Sequence, residues 1–345
     1  MTRATGRATV PSLVFAALLL TAIGCSTSDR PTTASDASQG QLRPVRLLLN
    51  WFPEAEHGGF YAAKELGYYR EAGLDVEIVP GGRTAVVAQE LTLGRVEFGV
   101  TNADDVLTAA QQDAPLVAVL TPMQHTPRCI LVRADSGVED FDDLREMTLL
   151  LDSSQAYVPF LQSLGYLKDE VTITPYFGSV APLAAGKRYG CQGYTFSEPF
   201  LAEQQGIDVE VLRVSEVGYD PYCSLLVTTR GLIDKDPELV AAMTRASARG
   251  WESYLTEPGP ANAAILKVND QQMTAQALEF GAATIGELAA VPEGMSFGQM
   301  EQSRWQTLID QLEKVGFVDR GAIEPDDVYT NRFLSDATPA EPPSP

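Results

Sequence analysis

Between Val45 and Val214, short apolar runs alternate with amphipathic segments, and this alternation limits the possible folds of the chain more than any other feature. Apolar runs at 45–49, 76–79, 96–100, 116–120, 129–132, 149–151, 171–176, 190–194 and 209–214 have the length of strands. Helical patterns over 58–72, 84–93 and 180–185 separate them, with further helices opening at Asn102 and after Ser154. Strands that alternate with helices of this length predict parallel α/β sheets with right-handed crossovers. A return strand at 224–228 follows, and then helices at 237–255, 260–267, 272–288 and 297–315. The pattern predicts two α/β lobes joined by two chain crossings, near 123–128 and 222–226, with a helical C-terminal return. Lobe 1 takes residues 42–125 and 224–335, and lobe 2 takes 126–223.

Composition narrows the function. The 345 residues suffice for two ordinary domains, and a net charge of −21 leaves no basic stripe for a nucleic acid. Arg3 and Arg7 precede an apolar run at 13–20, and small residues lead into Cys25. This is the layout of a signal peptide over 1–24, and Cys25 after Ile23-Gly24 resembles the acylation site of a bacterial lipoprotein. Residues 25–41, rich in Ser, Thr and Asp, read as a lipidated flexible tether, and the Pro-rich tail at 336–345 as disordered. The expected location is outside the cytoplasm, on a membrane, facing the periplasm or the cell exterior.

Export permits a disulfide among Cys129, Cys191 and Cys223, and each equally suits a buried small residue. If the two crossings lie side by side, Cys129 and Cys223 approach each other and are the preferred pair, and Cys191 stays unassigned. No cysteine spacing suits zinc, and with two histidines in the chain no metal site is expected.

Candidate ligand contacts cluster where strands give way to loops, the usual ligand position in open α/β sheets. The 45–49 strand breaks into Asn50-Trp51-Phe52-Pro53 and restarts at His57-Gly58-Gly59, with Tyr61 just beyond. Trp51 offers a flat π-face to a planar ligand, and Asn50 can donate and accept at once. His57 at the helix start suits either a ligand hydrogen bond or a cap. Asn102 and Asp104 at the next strand end are equally a helix cap or a polar ligand contact, and Ser153 occupies the matching turn of the second lobe. Tyr194 offers an aromatic face opposite Trp51, Glu198 before Pro199 is equally a helix-start charge or a ligand carboxylate, and Tyr219 stands at the second crossing. No Gly-x-Ser-x-Gly elbow, Walker loop or HExxH is present, so no catalytic residue is assigned.

The stretch LLLNWFPEAEHGGFYAAKELGYYREAGLDVEIVPGG, followed by FGVTNADDVLTAA and YTFSEP, resembles the thiamine-pyrimidine-precursor branch of the solute-binding proteins of ABC transporters, over roughly residues 45–255. The resemblance implies a type II periplasmic-binding fold whose lobes close on a small aromatic heterocycle, with Asn50, Trp51, His57, Tyr61, Tyr194 and Glu198 at the ligand. It implies a membrane permease with a cytoplasmic ATPase as partner, a monomeric chain and no cofactor. Relatives with similar openings take riboflavin-like, sulfonate or nitrate ligands, and a related pyrimidine synthase uses the fold with pyridoxal phosphate. The chain departs from the family pattern at Asn50, where Asp is common, and at Ser197, where Asn is common.

Overall fold

The computed structural model describes residues 41–114 and 116–334. The expected signal peptide, Cys25, the tether up to its last residue, and the tail at 336–345 lie outside the described residues. Among the described residues, ten strands form two five-stranded sheets. The first contains β1 (Arg43–Leu48), β2 (Leu74–Val79), β3 (Phe98–Thr101), β4 (Leu116–Leu120) and, from much later in the chain, β10 (Leu225–Thr229), in the order β2-β1-β3-β10-β4. The second contains β5 (Arg128–Arg133), β6 (Thr148–Leu150), β7 (Thr172–Thr174), β8 (Tyr189–Tyr194) and β9 (Val209–Arg213), in the order β7-β6-β8-β5-β9.

The two orders follow one plan. In the first sheet β1 runs parallel to β2 and β3, and β10 enters antiparallel between β3 and β4. In the second, β6 runs parallel to β7 and β8, and β5 enters antiparallel between β8 and β9. Each sheet therefore receives its antiparallel strand from chain that has just left the other sheet. The inserted strands and β4 are almost wholly buried, which is why 116–120, 129–132 and 225–227 read as unbroken apolar runs rather than alternating ones.

The helix expected over 58–72 is two helices, Gly58–Glu65 and Tyr68–Glu71. Gly67 parts them at φ 84°, a left-handed conformation open to glycine at little cost. Four later helices, Pro237–Thr256, Gly259–Val268, Ala275–Leu288 and Gln302–Lys314, form the C-terminal return. The first of them packs on Gly58–Glu65 through an unusually close crossing. A Cβ on Gly59 would lie 2.1 Å from the Trp251 ring, one on Gly58 2.1 Å from the Tyr254 ring, and one on Gly250 2.3 Å from the Gly59 carbonyl oxygen. The glycine pair after His57 is thus a packing device against a helix. No helix among the described residues is long and apolar enough to cross a membrane.

The Cys129–Cys223 disulfide expected from the sequence is not formed, and all three described cysteines are buried free thiols. The crossings do run side by side, since Met123 forms an antiparallel bridge with Cys223. The register defeats the pairing. Cys129 lies beyond that bridge, inside the second sheet, opposite Gly193 on one side and Arg213 on the other. Cys223 packs in the first sheet's core near Met123 and Leu226, and Cys129 packs with Leu131 and Cys191.

Candidate functional site

Strand ends from both sheets converge on a cavity of about 690 Å³. From the first sheet come Asn50 and Trp51 after β1, Arg83 after β2, and Thr101, Asn102 and Asp105 after β3. From the second come Arg128, Asp152, Gln155, Tyr157, Tyr176, Gln192, Tyr194 and Glu198. Glu54 and Glu56 close the floor from the loop after β1.

The expected site residues divide into two groups. Asn50, Trp51, Asn102, Tyr194 and Glu198 line the cavity. His57, Tyr61, Asp104 and Tyr219 are buried and lie outside this lining. Ser153 is exposed and outside the lining. Tyr61 and Tyr219 belong to apolar core clusters, the one around Tyr219 drawing on both sheets.

The buried residues nonetheless set the wall's polarity. The Glu54 backbone N–H donates to His57 Nδ1 at 3.3 Å, and His57 Nε2 lies 2.9 Å from Asn50 Oδ1 and 3.2 Å from Glu56 Oε1. Ser224, at φ 55°, donates its backbone N–H to Asn102 Oδ1 at 3.2 Å and its hydroxyl to Glu56 Oε2 at 3.1 Å. With its oxygen occupied, Asn102 donates through Nδ2 to the Tyr194 hydroxyl at 3.2 Å, which links the two sheets. On the far wall Gln192 Oε1 accepts from the Asp152 backbone N–H at 2.5 Å and the Tyr157 hydroxyl at 3.0 Å, which turns its amide nitrogen away from those donors.

Arg128 and Asp104 form a pair buried between the halves, with side chains 7% and 2% exposed. Arg128 Nη2 reaches the two Asp104 oxygens at 3.3 and 3.2 Å, Nη1 donates to Gln155 at 2.6 Å, and the guanidinium lies over the Tyr157 and Tyr194 rings. Tyr219 donates to Asp104 at 2.9 Å. Burial works against the Arg128 charge, but Asp104 and its neighbours outweigh it and hold the guanidinium firmly protonated. At the cavity wall that positive charge is paired with Asp104.

Carboxyl groups dominate what remains. Burial, then the charges of Glu56 and Glu198, pushes Glu54 well above the usual carboxylate range. Burial, then Asp104, lifts Asp105 to about 6. Burial also raises Glu198, partly offset by the Tyr194 N–H at 2.7 Å and the Tyr176 hydroxyl at 3.0 Å. Gly193 makes room for this carboxylate, because a Cβ there would lie 2.7 Å from Glu198 Cβ. Trp51 stands edge-on to Phe52, with the Arg83 guanidinium 5.7 Å from the Trp51 ring centroid. Arg83 also donates to the Phe177 carbonyl across the mouth at 2.5 Å. Burial pushes the Cys191 thiol to about 12, with Glu198 adding to it, and it raises Cys129 well above the ordinary thiol value, so neither is an activated nucleophile. The arrangement can hold a flat ring between aromatic faces and accept several hydrogen bonds from it.

Sequence reasoning missed Arg128, Gln192, Glu54, Glu56 and Asp105. The first two carried a usable signal, since Arg128 opens an apolar strand and Gln192 interrupts the glycine-flanked run Gly190-Cys191-Gln192-Gly193.

Comparison with known proteins gives the following. The NMT1/THI5-like family matches residues 54–261. The riboflavin-binding protein RibY of Chloroflexus aurantiacus is 28% identical over 71% of this chain and 73% of its own. The formylaminopyrimidine-binding protein of Halalkalibacterium halodurans is 24% identical over 89% of this chain and 96% of its own. The family resemblance also reaches enzymes: the yeast 4-amino-5-hydroxymethyl-2-methylpyrimidine phosphate synthase THI11 is 23% identical over 86% of this chain and 89% of its own. Among solved structures, the periplasmic aliphatic sulphonate-binding protein SsuA of Escherichia coli superposes with a TM-score of 0.61 at 14% identity, over 88% of this chain and 97% of that one. This likeness shows the fold, a mixed α/β periplasmic-binding fold with two five-stranded sheets. By its match over residues 54–261, the chain belongs to the NMT1/THI5-like family.

Proposed function

We propose that this protein is the solute-binding component of an ABC importer, exported and tethered through Cys25, and that it captures a small planar heterocycle bearing amino groups. A pyrimidine precursor of thiamine is the ligand we favour. The observation that carries the reading is the composition of the cavity wall. The aromatic faces of Trp51 and Tyr194 come from different sheets, and Glu54, Glu56, Asp105, Asp152 and Glu198 line the space with them. Aromatic faces favour a flat ring, and buried carboxylates favour its N–H donors through charge-assisted bonds. Those of the carboxyl groups that are ionised repel an anion, which weighs against a sulfonate or nitrate, with Arg83 and Arg128 as the cations of the same lining. Binding that touches both halves stabilises a closed state over an open one, and a permease with a cytoplasmic ATPase would receive the loaded form. The protein acts as a monomer in this reading.

Binding without turnover is part of the proposal. Pyridoxal phosphate chemistry needs a lysine for the Schiff base. Among the described residues no lysine lines the cavity, and five carboxyl groups would face the phosphate. The residues do not fit that cofactor.

The test is a titration of the purified soluble chain with formylaminopyrimidine, 4-amino-5-hydroxymethyl-2-methylpyrimidine, riboflavin and taurine, followed by tryptophan fluorescence. Trp251 and Trp305 are buried away from the cavity, so the response should come from Trp51 and vanish in Trp51→Phe. Saturable binding of a pyrimidine but not taurine is expected. A response to taurine alone, or product formation from any of the four, would overturn the reading.

A further inference from the structure

His57 is wholly buried and does not line the cavity, yet it is hydrogen-bonded at both ring nitrogens to the loop that does. The proton on its ring is placed by a group with no choice of role. The Glu54 backbone N–H can only donate, so Nδ1, which receives it at 3.3 Å, is the bare nitrogen, and the neutral ring carries its proton on Nε2. That N–H points to Asn50 Oδ1 at 2.9 Å and more weakly to Glu56 Oε1 at 3.2 Å. The Asn50 amide oxygen is thereby occupied, and its Nδ2 is the end left for the cavity, with no hydrogen-bond acceptor among the described residues.

We infer that His57 is a positioning residue that fixes the polarity of Asn50, so that the cavity presents a hydrogen-bond donor there and selects ligands carrying an acceptor, a carbonyl oxygen or an unprotonated ring nitrogen, at that point. The inference deepens the proposed function and rests on it for the site's use in ligand capture. It also makes the ligand's outline asymmetric. The ring carries donors toward Glu198, and it carries at least one lone pair toward Asn50. A freely rotating amide would accept either pattern. A pinned one discriminates, because the wrong ligand leaves a desolvated N–H without a partner.

Two measurements test this. The first needs no ligand. With two histidines in the chain, long-range ¹H–¹⁵N correlation spectra of wild type and of His125→Asn assign the ring nitrogens of His57. The neutral Nε2–H pattern at pH 7.5 is expected, and an Nδ1–H or averaged pattern would overturn the proposal. The second compares binding of 4-amino-5-hydroxymethyl-2-methylpyrimidine with that of its two pyridine analogues, each lacking one ring nitrogen. Wild type is expected to prefer the pyrimidine over one analogue by about tenfold or more. His57→Leu should shrink that ratio below about threefold, while His57→Gln, which can still donate, should retain most of it. An unchanged ratio in a folded His57→Leu protein would overturn the proposal. If none of these probes binds wild type, the pyrimidine reading fails, and the spectra still decide the state of His57.

Discussion

Arg304 Nη2 donates to the backbone carbonyl of Asp220 at 2.8 Å, and the same nitrogen donates to the carbonyl of Gln124. Arg304 belongs to the Gln302–Lys314 helix, whereas Gln124 and Asp220 lie on the two segments that cross between the sheets. The guanidinium also stacks on the Tyr222 ring, 4.0 Å from its centroid. One side chain of the C-terminal return therefore staples both crossings together. Arg304→Ala is expected to lower stability by about 1.5–3 kcal/mol, the range for hydrogen bonds to a charged donor, as a shift in urea midpoint at unchanged slope.

Asp220 in the same cluster gives a pH signature. Burial would raise its carboxyl, but the His125 ring, the Thr126 N–H and Arg304 outweigh burial and hold it below the usual carboxylate range. A depressed folded pKa contributes stability that is present above the unfolded value near 3.9 and lost as pH falls through the folded value. Asp220→Asn should therefore be less stable than wild type at pH 7. The difference should close in thermal melts run toward pH 3.

Asp105 should behave oppositely. Its folded pKa is raised to about 6, by burial first and then by Asp104, so its contribution to stability is full below the unfolded value and lost as pH rises through about 6. Asp105→Asn keeps an oxygen to accept from Thr101 and the Asn102 N–H and removes the charge. The variant should melt higher than wild type at pH 7.5, and the gain should fade by pH 4.

The Arg128–Asp104 pair separates burial from pairing. Asp104→Asn leaves the guanidinium buried without its counter-charge and should cost about 3–5 kcal/mol in urea unfolding. The double change Arg128→Met, Asp104→Leu removes both charges and should cost clearly less. Equal losses in the single and double variants would show that the pair matters for shape rather than charge.

Gly59→Ala tests the helix crossing. Its Cβ would lie 2.1 Å from the Trp251 ring, so overpacking should cost about 1–3 kcal/mol, seen as a lower melting temperature. Gly59 does not line the cavity, and ligand affinity should fall far less than for Trp51→Ala.

These sites also show how far the sequence could be read. The strands announced themselves because short unbroken runs such as Leu116–Leu120, bounded by turn residues, suit a sheet interior. Loops after strands were legible for the same reason, and Asn50, Trp51, Asn102, Tyr194 and Glu198 do line the cavity. Direction was not legible. His57 and Tyr61 share a loop-and-helix start with Trp51, yet Tyr61 joins a core with Trp251 and Tyr254 from far along the chain, which the local pattern cannot see, and His57 is held by Asn50, Glu54 and Glu56. Asp104 and Asp105 are adjacent carboxylates on one helix turn. The first turns to Arg128 and the second to the cavity, a split set by a partner on another strand. Cys129 and Cys223 failed as a pair through register alone.

The wall that meets the ligand is held from behind by distant chain. Pro53 accepts from Asn269 Nδ2 at 2.6 Å, Ala55 fits where Gly281 has no side chain, and Gly58 and Gly59 lie under Tyr254 and Trp251. Contacts this far apart in sequence carry the loop-closure cost of the whole intervening chain. A chain ending before Pro237 would carry every strand of both sheets and still leave the Asn50–His57 loop without its backing. The Asn50–His57 loop thus owes its backing to helices more than 190 residues further along the chain.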